Sequence, residues 1–434
     1  MQIRPSLPSA LLAALLLPPA IPAQPAAPAQ PAASPWALPN FAQRLEMDVA
    51  NPSAHPVQGL AVVDVLEATR LAPGFPGSLA IVVILNPPGS EYPYSVAPSQ
   101  VDDLDGDGAP EELLFSVNLA PGETRRAYVY YSTTLRDTIP YSKEVDATHN
   151  FGYSHQTAAF ESKYIGYRTY GGLMLDVQGR AKGHPGLNNN LVGYFSASYP
   201  TAAGLDVLHV GDTLGLGGIV LRRGDQVYRP PFNVSDYAHK PSPREVPKYR
   251  VVSAGPLRAT IEATMDRWSI GQDAVRLSAR YSIEAGQEFA QCAVEIAPLQ
   301  FSPQSEYEVA AGVRHLPAMR QDPAAGRIAL SGTQEARIGP LALALFFEPR
   351  DARAIAPIYA GEDVNETVVF HATLRPGQPV RLRYQVAAAW SGTGFDDLLA
   401  HLREVEWKAR QRLALSHYEF TRTPDPQRIE GEAY

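Results

Sequence analysis

Three aspartates alternate along a short acidic stretch, DDLDGDGAPEELLF, which then enters an apolar run. Asp103, Asp105 and Asp107 match positions one, three and five of a calcium-loop pattern, Gly108 matches position six and Glu111 position nine. Carboxylate oxygens at this spacing are the hard ligands that Ca²⁺ prefers. The stretch therefore predicts a structural calcium site, and a solvated acidic turn is the alternative.

The twelfth position of this pattern distinguishes it from an EF-hand. Leu114 stands where an EF-hand has its bidentate glutamate, and the apolar residues around it favour a strand over a helix. We therefore expect a short calcium clip of the kind found in β-rich extracellular proteins. Such a clip would order the loop and take no part in catalysis.

A second stretch, HNFGYSHQTAAFESKYIGYRTYGG, gathers side chains that suit carbohydrate chemistry. Its candidate catalytic residues are His155, Glu161, Arg168 and Tyr170. Arginine binds carboxylates through paired hydrogen bonds, and histidine, tyrosine and glutamate can donate or accept protons in catalysis. Arg168 and Tyr170 are two residues apart and share one face of a strand, whereas Glu161 joins them only if the chain turns near Gly166. An exposed loop followed by a strand with a solvated Arg168 is the alternative.

Two further stretches supply candidates for the same site. In GLDVLHVGDTLGLGGIVL, Asp206 and His209 lie in an apolar context before several glycines, which indicates either the floor of a cleft or a close backbone approach. In EYEVAAGVRHLPAMR, His315 ends an apolar strand and faces away from Arg314 if that strand is regular. His315 is a candidate base, and a core histidine is the alternative.

Several function classes lack the features they need. The chain has no GxSxG or HExxH motif, and its glycines match neither GxGxxG nor a Walker A loop, which disfavours serine esterases, zinc proteases and nucleotide cofactors. A net charge of -8 gives no basic surface for nucleic acid. Such a chain suits small or neutral partners, or a saccharide.

The first residues predict export. In MQIRPSLPSALLAALLLPPAIPA, Arg4 precedes an apolar run that ends in small residues near Ala23, which is typical of a signal peptide over residues 1–23. The run is shorter than the about 20 residues that span a bilayer, so we expect no membrane span after its removal. Residues 24–38 are rich in proline and alanine and predict an extended spacer. The expected location is periplasmic or secreted.

The elements that position the candidate residues are predicted to be strands. Apolar and polar residues alternate in LRATIEATMD and AVRLSARYSI, and the turn EAGQ joins the second run to CAVEI as a hairpin. Cys292, the chain's only cysteine, alternates with Val294 and is expected to be a buried core thiol. Long amphipathic strands in series predict an all-β fold with large antiparallel sheets packed face to face.

Three folded segments follow from the spacing of these runs. Residues 39–145 predict an N-terminal β-sandwich, residues 146–393 a main β-supersandwich, and residues 394–434 a C-terminal helix and tail. Only one stretch shows helical spacing, with an apolar stripe at Leu398, Leu402, Val405, Ala409 and Leu413. We expect this helix to cap an edge of the sandwich.

Six stretches together resemble one family: DLDGDGAPEELLF, FESKYIGYRTYGG, GLDVLHVGDTLGLGGIVL, YRVVSAGPLRATI, AAGVRHLP and RYQVAAAW. In this order they are similar to the bacterial domain-of-unknown-function family 4861, over residues 51–413. The resemblance implies a galactose-mutarotase-like supersandwich and an exported protein encoded among polysaccharide-degradation genes. It implies a carbohydrate substrate, because family members are often encoded near enzymes that act on unsaturated uronyl products.

Three functions are consistent with these candidates. In a lyase acting on an acidic, uronate-containing saccharide, Arg168 would neutralise the carboxylate, His315 or His155 would be the base and Tyr170 the acid. In a hydrolase, Glu161 and Asp206 would be the paired carboxylates. A non-catalytic glycan-binding protein is the third. For the lyase we expect Arg168 and His315 to be partly exposed, outside the packed core.

Overall fold

The computed structural model describes most of the chain from residue 36 onward. The described residues are 36–76, 79–134, 139–149, 157–169, 171, 173–180, 186–187, 204–211, 213–231, 246–317, 319–336, 338–359, 365–390 and 394–422. The predicted signal peptide and most of the predicted spacer lie outside them. By its contacts, Leu38–Tyr434 forms one unit.

A small β-sandwich is built mainly from the first third of the chain. Its six-stranded sheet contains β1 (Gln43–Ala50), β3 (Leu79–Leu85), β4 (Tyr94–Ala97), β7 (Thr124–Ser132), β26 (Ala414–Leu415) and β27 (Glu419–Arg422). Its three-stranded sheet contains β2 (Val57–Asp64), β5 (Ser99–Asp102) and β6 (Glu112–Leu119). Apolar side chains from both sheets form one core, so the two sheets fold as a unit.

A ten-stranded antiparallel sheet forms one layer of the larger part. Its strands are β8 (Val145–His149), β9 (Ala158–Ser162), β10 (Ile165–Thr169), β11 (Leu175–Arg180), β12 (Gly204–Asp206), β13 (Leu216–Arg223), β14 (Gln226–Tyr228), β19 (Tyr307–Arg314), β23 (Ala354–Tyr359) and β24 (Asn365–Leu374). A short 3₁₀ helix, Pro349–Asp351, precedes β23. The face that carries Phe160, Tyr167 and Val177 packs into the main core.

An eight-stranded antiparallel sheet forms the second layer. Its strands are β15 (Lys248–Ala254), β16 (Arg258–Ile270), β17 (Asp273–Glu284), β18 (Phe289–Gln300), β20 (Arg320–Gln321), β21 (Arg327–Gly332), β22 (Leu341–Phe346) and β25 (Val380–Trp390). One apolar core contains side chains from both layers, so the two large sheets pack face to face. The all-β prediction, with large antiparallel sheets, is confirmed.

The predicted alternation in the long strands is confirmed. Ala259, Ile261 and Met265 of β16 are fully buried in the core, while their neighbours in the strand are more exposed. Hairpin pairing joins β17 to β18 through a turn in which Gly286 has a φ of 78°. Cys292 of β18 is buried at 2% exposure, and burial raises the pKa of its thiol far above the ordinary value. This cysteine is therefore a core residue.

Buried tyrosine hydroxyls tie the two large layers together. Tyr281 of the eight-stranded sheet donates to the carbonyl of Leu173 at 2.9 Å, and Tyr384 donates to that of Gly217 at 2.6 Å. A Cβ at Gly217 would lie 2.9 Å from Val386, and the φ of this glycine is 75°. The glycine-rich segment thus provides a close backbone approach between layers, as one of the two sequence-based interpretations held.

The C-terminal helix, α2 (Phe395–Ala409), has the predicted apolar stripe as far as Ala409 but a different location. Leu413 lies beyond the end of the helix and packs against the core of the small sandwich. The helix packs on the outer face of β21, β22 and β25, and it does not cap an edge of the sandwich. The outer face there is lined by alanines, including Ala342, Ala344 and Ala387. Small side chains let a helix approach a sheet face closely, which explains why the face and not the edge receives it.

The prediction of a single helix was wrong. A short helix, α1 (Val65–Leu71), follows β2 directly and begins at the end of the apolar run GLAVVDVL. The change from strand to helix occurs at Asp64, whose Oδ1 accepts a hydrogen bond from the Glu67 amide at 2.8 Å. An aspartate in this position caps a helix, and this is the signal in the sequence that indicates α1.

Within the described residues, no helix is both long enough and apolar enough to cross a membrane. The predicted segment boundaries at residues 145 and 393 stay a prediction.

Candidate functional site

The outer face of the ten-stranded sheet carries a cluster of charged and amide side chains. Strand pairing places Glu161 opposite Gly166, Gly166 opposite Gln178, and Gln178 opposite Asp206. Directly paired residues point to the same face of a sheet, and this face is opposite to the one that enters the core. The outer-face cluster, as we call it, consists of Glu161, Arg168, Asp176, Gln178, Arg180 and Asp206.

A turn between β9 and β10 brings Glu161 and Arg168 onto this common face. The two residues lie on neighbouring antiparallel strands, because the chain reverses at Lys163 and Tyr164 before Gly166. This is the condition that the sequence set for Glu161 to join Arg168.

Arg168 holds two carboxylates at once. Its Nη2 lies 2.5 Å from Asp176 Oδ2 and 2.9 Å from Asp206 Oδ2. All three side chains are buried, with Arg168 only 1% exposed. The expectation of a partly exposed Arg168 is therefore wrong, because the strand is covered on both faces.

A second ion pair lies on the same face. Arg180 donates to Glu161, and both side chains are almost fully buried. Burial lowers the pKa of Arg180 to about 10. Both arginines of the cluster are thus already paired with carboxylates of the protein.

Asp206 is the unusual acid of the cluster. Burial, followed by the negative charge of Asp176, raises the pKa of Asp206 to about 8, although the Arg168 guanidinium opposes this change. Asp206 therefore carries a proton at neutral pH and shares a hydrogen bond with Asp176. A carboxyl group that is protonated near neutrality can act as a general acid.

Two polar groups of the cluster lack hydrogen-bond partners within the described part of the chain. They are Asp206 Oδ1 and the side-chain amide of Gln178, both buried and on paired residues. Buried polar atoms are nearly always hydrogen-bonded, so unsatisfied ones require an explanation. A hydroxyl-rich ligand bound at this face would satisfy them.

His315 is placed apart from this cluster. Its Nε2 lies 2.7 Å from the Thr367 hydroxyl, and Thr367 pairs with Val313, whose side chain is in the core between the large sheets. Burial lowers the pKa of His315. Among the described residues, no hydrogen bond or ion pair joins His315 to Arg168. His155 and Tyr170 lie outside the described residues.

His209 lies close in sequence to Asp206 but has its own partner. Its Nδ1 is 2.7 Å from Glu335, and both side chains are partly exposed. Among the described residues, no hydrogen bond or ion pair joins His209 to Asp206.

Asp176, Gln178 and Arg180 belong to the cluster but were not among the sequence candidates. They alternate with apolar or small residues in LDVQGR, the β11 sequence, directly after the predicted site stretch. This period-two spacing was the available signal, because it places all three on one face of the strand.

The acidic stretch forms a compact loop between β5 and β6. One carboxylate oxygen from each of Asp103, Asp105, Asp107 and Glu111 can lie within 4.8 Å of the others. Ligands on opposite sides of Ca²⁺ are about 5 Å apart, since each lies 2.3–2.6 Å from the ion. These four residues therefore fit a calcium ion.

Backbone amides pre-order the acidic loop. The Gly108 and Gly106 amides donate to Asp103 at 2.8 Å and 2.5 Å, and they lower the pKa of that carboxyl group, the Gly108 bond having the largest effect. Both glycines have positive φ angles, 92° and 86°, which a residue with a side chain rarely adopts.

The loop also contacts the eight-stranded sheet. Arg250 and Arg280 both donate to the carbonyl oxygen of Leu104, at 2.8 Å and 3.1 Å. On either side of the loop, Asp102 and Glu112 bind the guanidinium of Arg258. A metal in the loop would therefore stabilise the contact between the small sandwich and the main part of the molecule.

Two solved structures from Enterococcus faecalis are among those similar to the chain. One is an alpha-mannosidase, with 8% identity, a TM-score of 0.47, and coverage of 86% of this chain and 46% of that one. The other is a protein in glycosyl hydrolase family 38, with 8% identity, a TM-score of 0.49, and coverage of 87% and 47%. The chain thus spans about half the length of each.

Comparison with the curated proteins finds none with significant sequence similarity. A family model does match, under the description "Domain of unknown function (DUF4861)", over residues 92–400. The matched range covers more than half of the chain and confirms the resemblance seen in six stretches of sequence. The chain belongs to the DUF4861 family.

Proposed function

We propose that this protein is an exported carbohydrate-active enzyme and that the outer-face cluster is its active site. The observation that carries the proposal is the geometry at Asp206, a buried acid that shares the Arg168 guanidinium with Asp176, and burial raises its pKa to about 8. Beside it, the Gln178 amide lacks a partner among the described residues and would accept and donate hydrogen bonds to sugar hydroxyls. Asp206 would protonate the oxygen of the glycosidic bond that breaks.

Hydrolysis is the reaction that the cluster supports best. β-Elimination needs a cation to neutralise the substrate's carboxylate, and both arginines of the cluster are occupied by buried carboxylates. Hydrolysis needs a second carboxylate, which Glu161 supplies. Asp176 instead orients Asp206, since the two share a hydrogen bond.

The spacing of these carboxylates favours inversion. Three strand spacings separate Glu161 on β9 from Asp206 on β12, about 14 Å between backbones. This backbone separation is wider than both carboxylate separations, and it is closer to the about 6.5–9.5 Å of inverting enzymes than to the about 5 Å of retaining ones.

A product assay tests the proposed reaction. Purified protein would be incubated with pectic, alginate-like, ulvan-like and neutral polysaccharides, and both reducing ends and near-ultraviolet absorbance would be followed. Hydrolysis is expected to release reducing ends without absorbance. An absorbing unsaturated product would show β-elimination instead, and neither signal on any polymer would leave the binding protein as the answer.

Mass spectrometry of native material should find a mature chain starting near Gln24, and an intact Met1 would contradict export.

We also propose that the acidic loop binds a structural Ca²⁺. Chelation is expected to lower the melting temperature and added Ca²⁺ to restore it, because a ligand that binds only the folded state stabilises it, by about 2.7 kcal/mol at a hundredfold excess over Kd. Replacing Asp105 by alanine should abolish the response.

The matched control for this prediction is Asp225→Ala. Asp225 is an exposed aspartate in the β13–β14 turn, and its variant should respond to calcium like the parent. Differential scanning fluorimetry with and without chelator measures both. A melting temperature of the parent that chelation does not change would reduce the stretch to a solvated acidic turn.

A further inference from the structure

A groove with a volume of 1510 Å³ runs between the small sandwich and the outer face of the eight-stranded sheet. Its floor is formed by β16, β17, β18 and β25, one wall by β2, and the other wall by the end of α2 and the residues after it. It lies on the opposite side of the two packed sheets from the outer-face cluster. The groove is therefore separate from the proposed active site.

Two arginines stand on the floor of the groove on either side of an alanine. Ala293 of β18 pairs with Arg280 of β17 and with Arg383 of β25, so the three residues share one face. The arginines are two strand spacings apart, about 10 Å. Because Ala293 is small, the space between the two guanidinium groups stays open to a ligand.

Positive charge exceeds negative charge along the groove. Eight cationic side chains line it against five carboxylates, a surplus of three, in a chain whose net charge is -8. The cationic residues are Arg125, Arg258, Arg280, Arg350, Arg383, Lys408, Arg410 and Arg412.

Four of these cations have no carboxylate within hydrogen-bond distance among the residues that the structure describes. Arg412 donates only to main-chain carbonyls there, and the carboxylate nearest to Arg350 is 3.9 Å away. Arg383 and Lys408 are exposed and have no described ion-pair partner. Arg383, Lys408 and Arg412 can pair with an anion without breaking a described ion pair, and Arg350 would give up only its 3.9 Å contact with Asp351.

The groove also offers an aromatic surface. Trp407 is 37% exposed and makes an edge contact with His55, with 4.9 Å between the ring centroids. Val62 of β2 is exposed to the same extent. The apolar face of a sugar ring can pack on such an indole. The groove therefore offers both a stacking surface and cations, whereas a purely ionic patch offers cations alone.

We propose that this groove binds an anionic oligosaccharide, with its carboxylate or sulfate groups on Arg383 and the neighbouring cations and a sugar ring on Trp407. This site goes beyond the proposed catalytic function, because the groove holds a chain and does not cleave it. An enzyme that binds a charged polymer in this groove would remain bound to it between cleavage events at the outer-face cluster.

Calorimetric titration tests the proposal with four probes of similar length. They are a hexamer of galacturonate, a heparin hexasaccharide, maltohexaose and a six-residue oligothymidine. The first two are expected to bind, with affinity that falls as salt rises, and comparison of the two distinguishes carboxylate from sulfate recognition. Equal binding of maltohexaose, or tighter binding of the oligothymidine, would overturn the proposal.

Variants locate the binding site. Arg383→Ala is expected to weaken binding roughly ten- to a hundredfold, as for loss of one hydrogen bond to a charged group, and Trp407→Ala should weaken it too. The matched control is Arg381→Ala, two residues earlier on the same strand, where Arg381 is paired with Glu295 at 2.7 Å outside the groove. An equal loss in Arg381→Ala and Arg383→Ala would contradict the assignment. Asp206→Asn should bind like the parent, so failure of the catalytic proposal leaves this test intact.

Discussion

Replacing Asp206 by asparagine is expected to lower turnover by about 10²–10⁴-fold, the usual contribution of a positioned acid. The same change should make the folded protein more stable than the parent at alkaline pH. Burial and the charge of Asp176 raise the pKa of Asp206 to about 8, so ionisation of this group opposes folding. Asparagine resembles the protonated acid and does not ionise.

The sign of the pH dependence follows from the two pKa values of Asp206. The folded pKa lies above the unfolded value of about 3.9, so the folded state binds more protons between about pH 4 and pH 8. The parent's free energy of unfolding therefore falls as pH rises through this window, by at most about 1.4 kcal/mol per pH unit from this group. Denaturant unfolding across the window should show a shallower fall in the variant.

Asp273→Asn is the matched control for this prediction. Burial raises the pKa of Asp273, but hydrogen bonds from Ser305, Ser302 and Tyr307 together hold it below the ordinary value. Its ionised form thus stabilises the fold at neutral pH, and that contribution is lost only as pH falls through the folded pKa. Asp273→Asn should lose stability at neutral pH and keep its turnover per folded molecule. Undiminished turnover in Asp206→Asn would remove Asp206 from the mechanism.

Replacing Arg168 by alanine is expected to destabilise the protein by about 3–5 kcal/mol, the typical cost of leaving buried charge uncompensated. Arg168 is the shared partner of Asp176 and Asp206, and all three are buried. The sequence alone had led us to expect a partly exposed Arg168, and replacing such a residue changes stability by less than about 1 kcal/mol. Burial reverses that expectation. Chemical denaturation at neutral pH measures the loss.

Two comparison variants isolate the cause. Arg222→Ala removes an arginine from the same sheet whose partner, Glu308, is 48% exposed at its side chain, and such a pair is worth about 0–1 kcal/mol. Combining Arg168→Ala with Asp206→Asn should recover little of the loss at neutral pH, because Asp206 is already protonated there and the charge left without its partner is that of Asp176. If Arg168→Ala costs no more than Arg222→Ala, the buried cluster does not contribute to stability as described.

The fold class was predictable because the long strands of the eight-stranded sheet have one buried face and one partly exposed face. In β16 and β17 the alternation of side chains is visible in the sequence and matches burial over most of each strand, although Thr260 and Asp273 are buried as well. The position of α2 was not predictable in the same way. The alanines that receive it come from β22 and β25, two strands far apart in sequence, and only their pairing forms a flat surface.

The candidate site was only partly predictable. Arg168 was found in a stretch whose side chains suit carbohydrate chemistry, and Asp206 because it lies in an apolar context, but their common contact depends on a strand pairing between separate segments. All six residues of β11 are buried. Alternation marks Asp176 and Gln178 as facing one side, yet it cannot distinguish a face open to water from a covered one, and burial is what raises the pKa of Asp206.

The last described strands of the chain pair with the first. β27 lies against β1, with Arg422 opposite Gln43, and β26 pairs with the other end of β1. During synthesis, β1 emerges early and has β7 on one side only, while its other side awaits strands made at the far end of the chain. Until those strands arrive, the small sandwich presents an unpaired edge, which is prone to wrong pairing with other chains. Completion of this sheet is thus delayed until β26 and β27 have been translated. A chaperone that binds unfolded chains would therefore be needed most at the unpaired edge of β1.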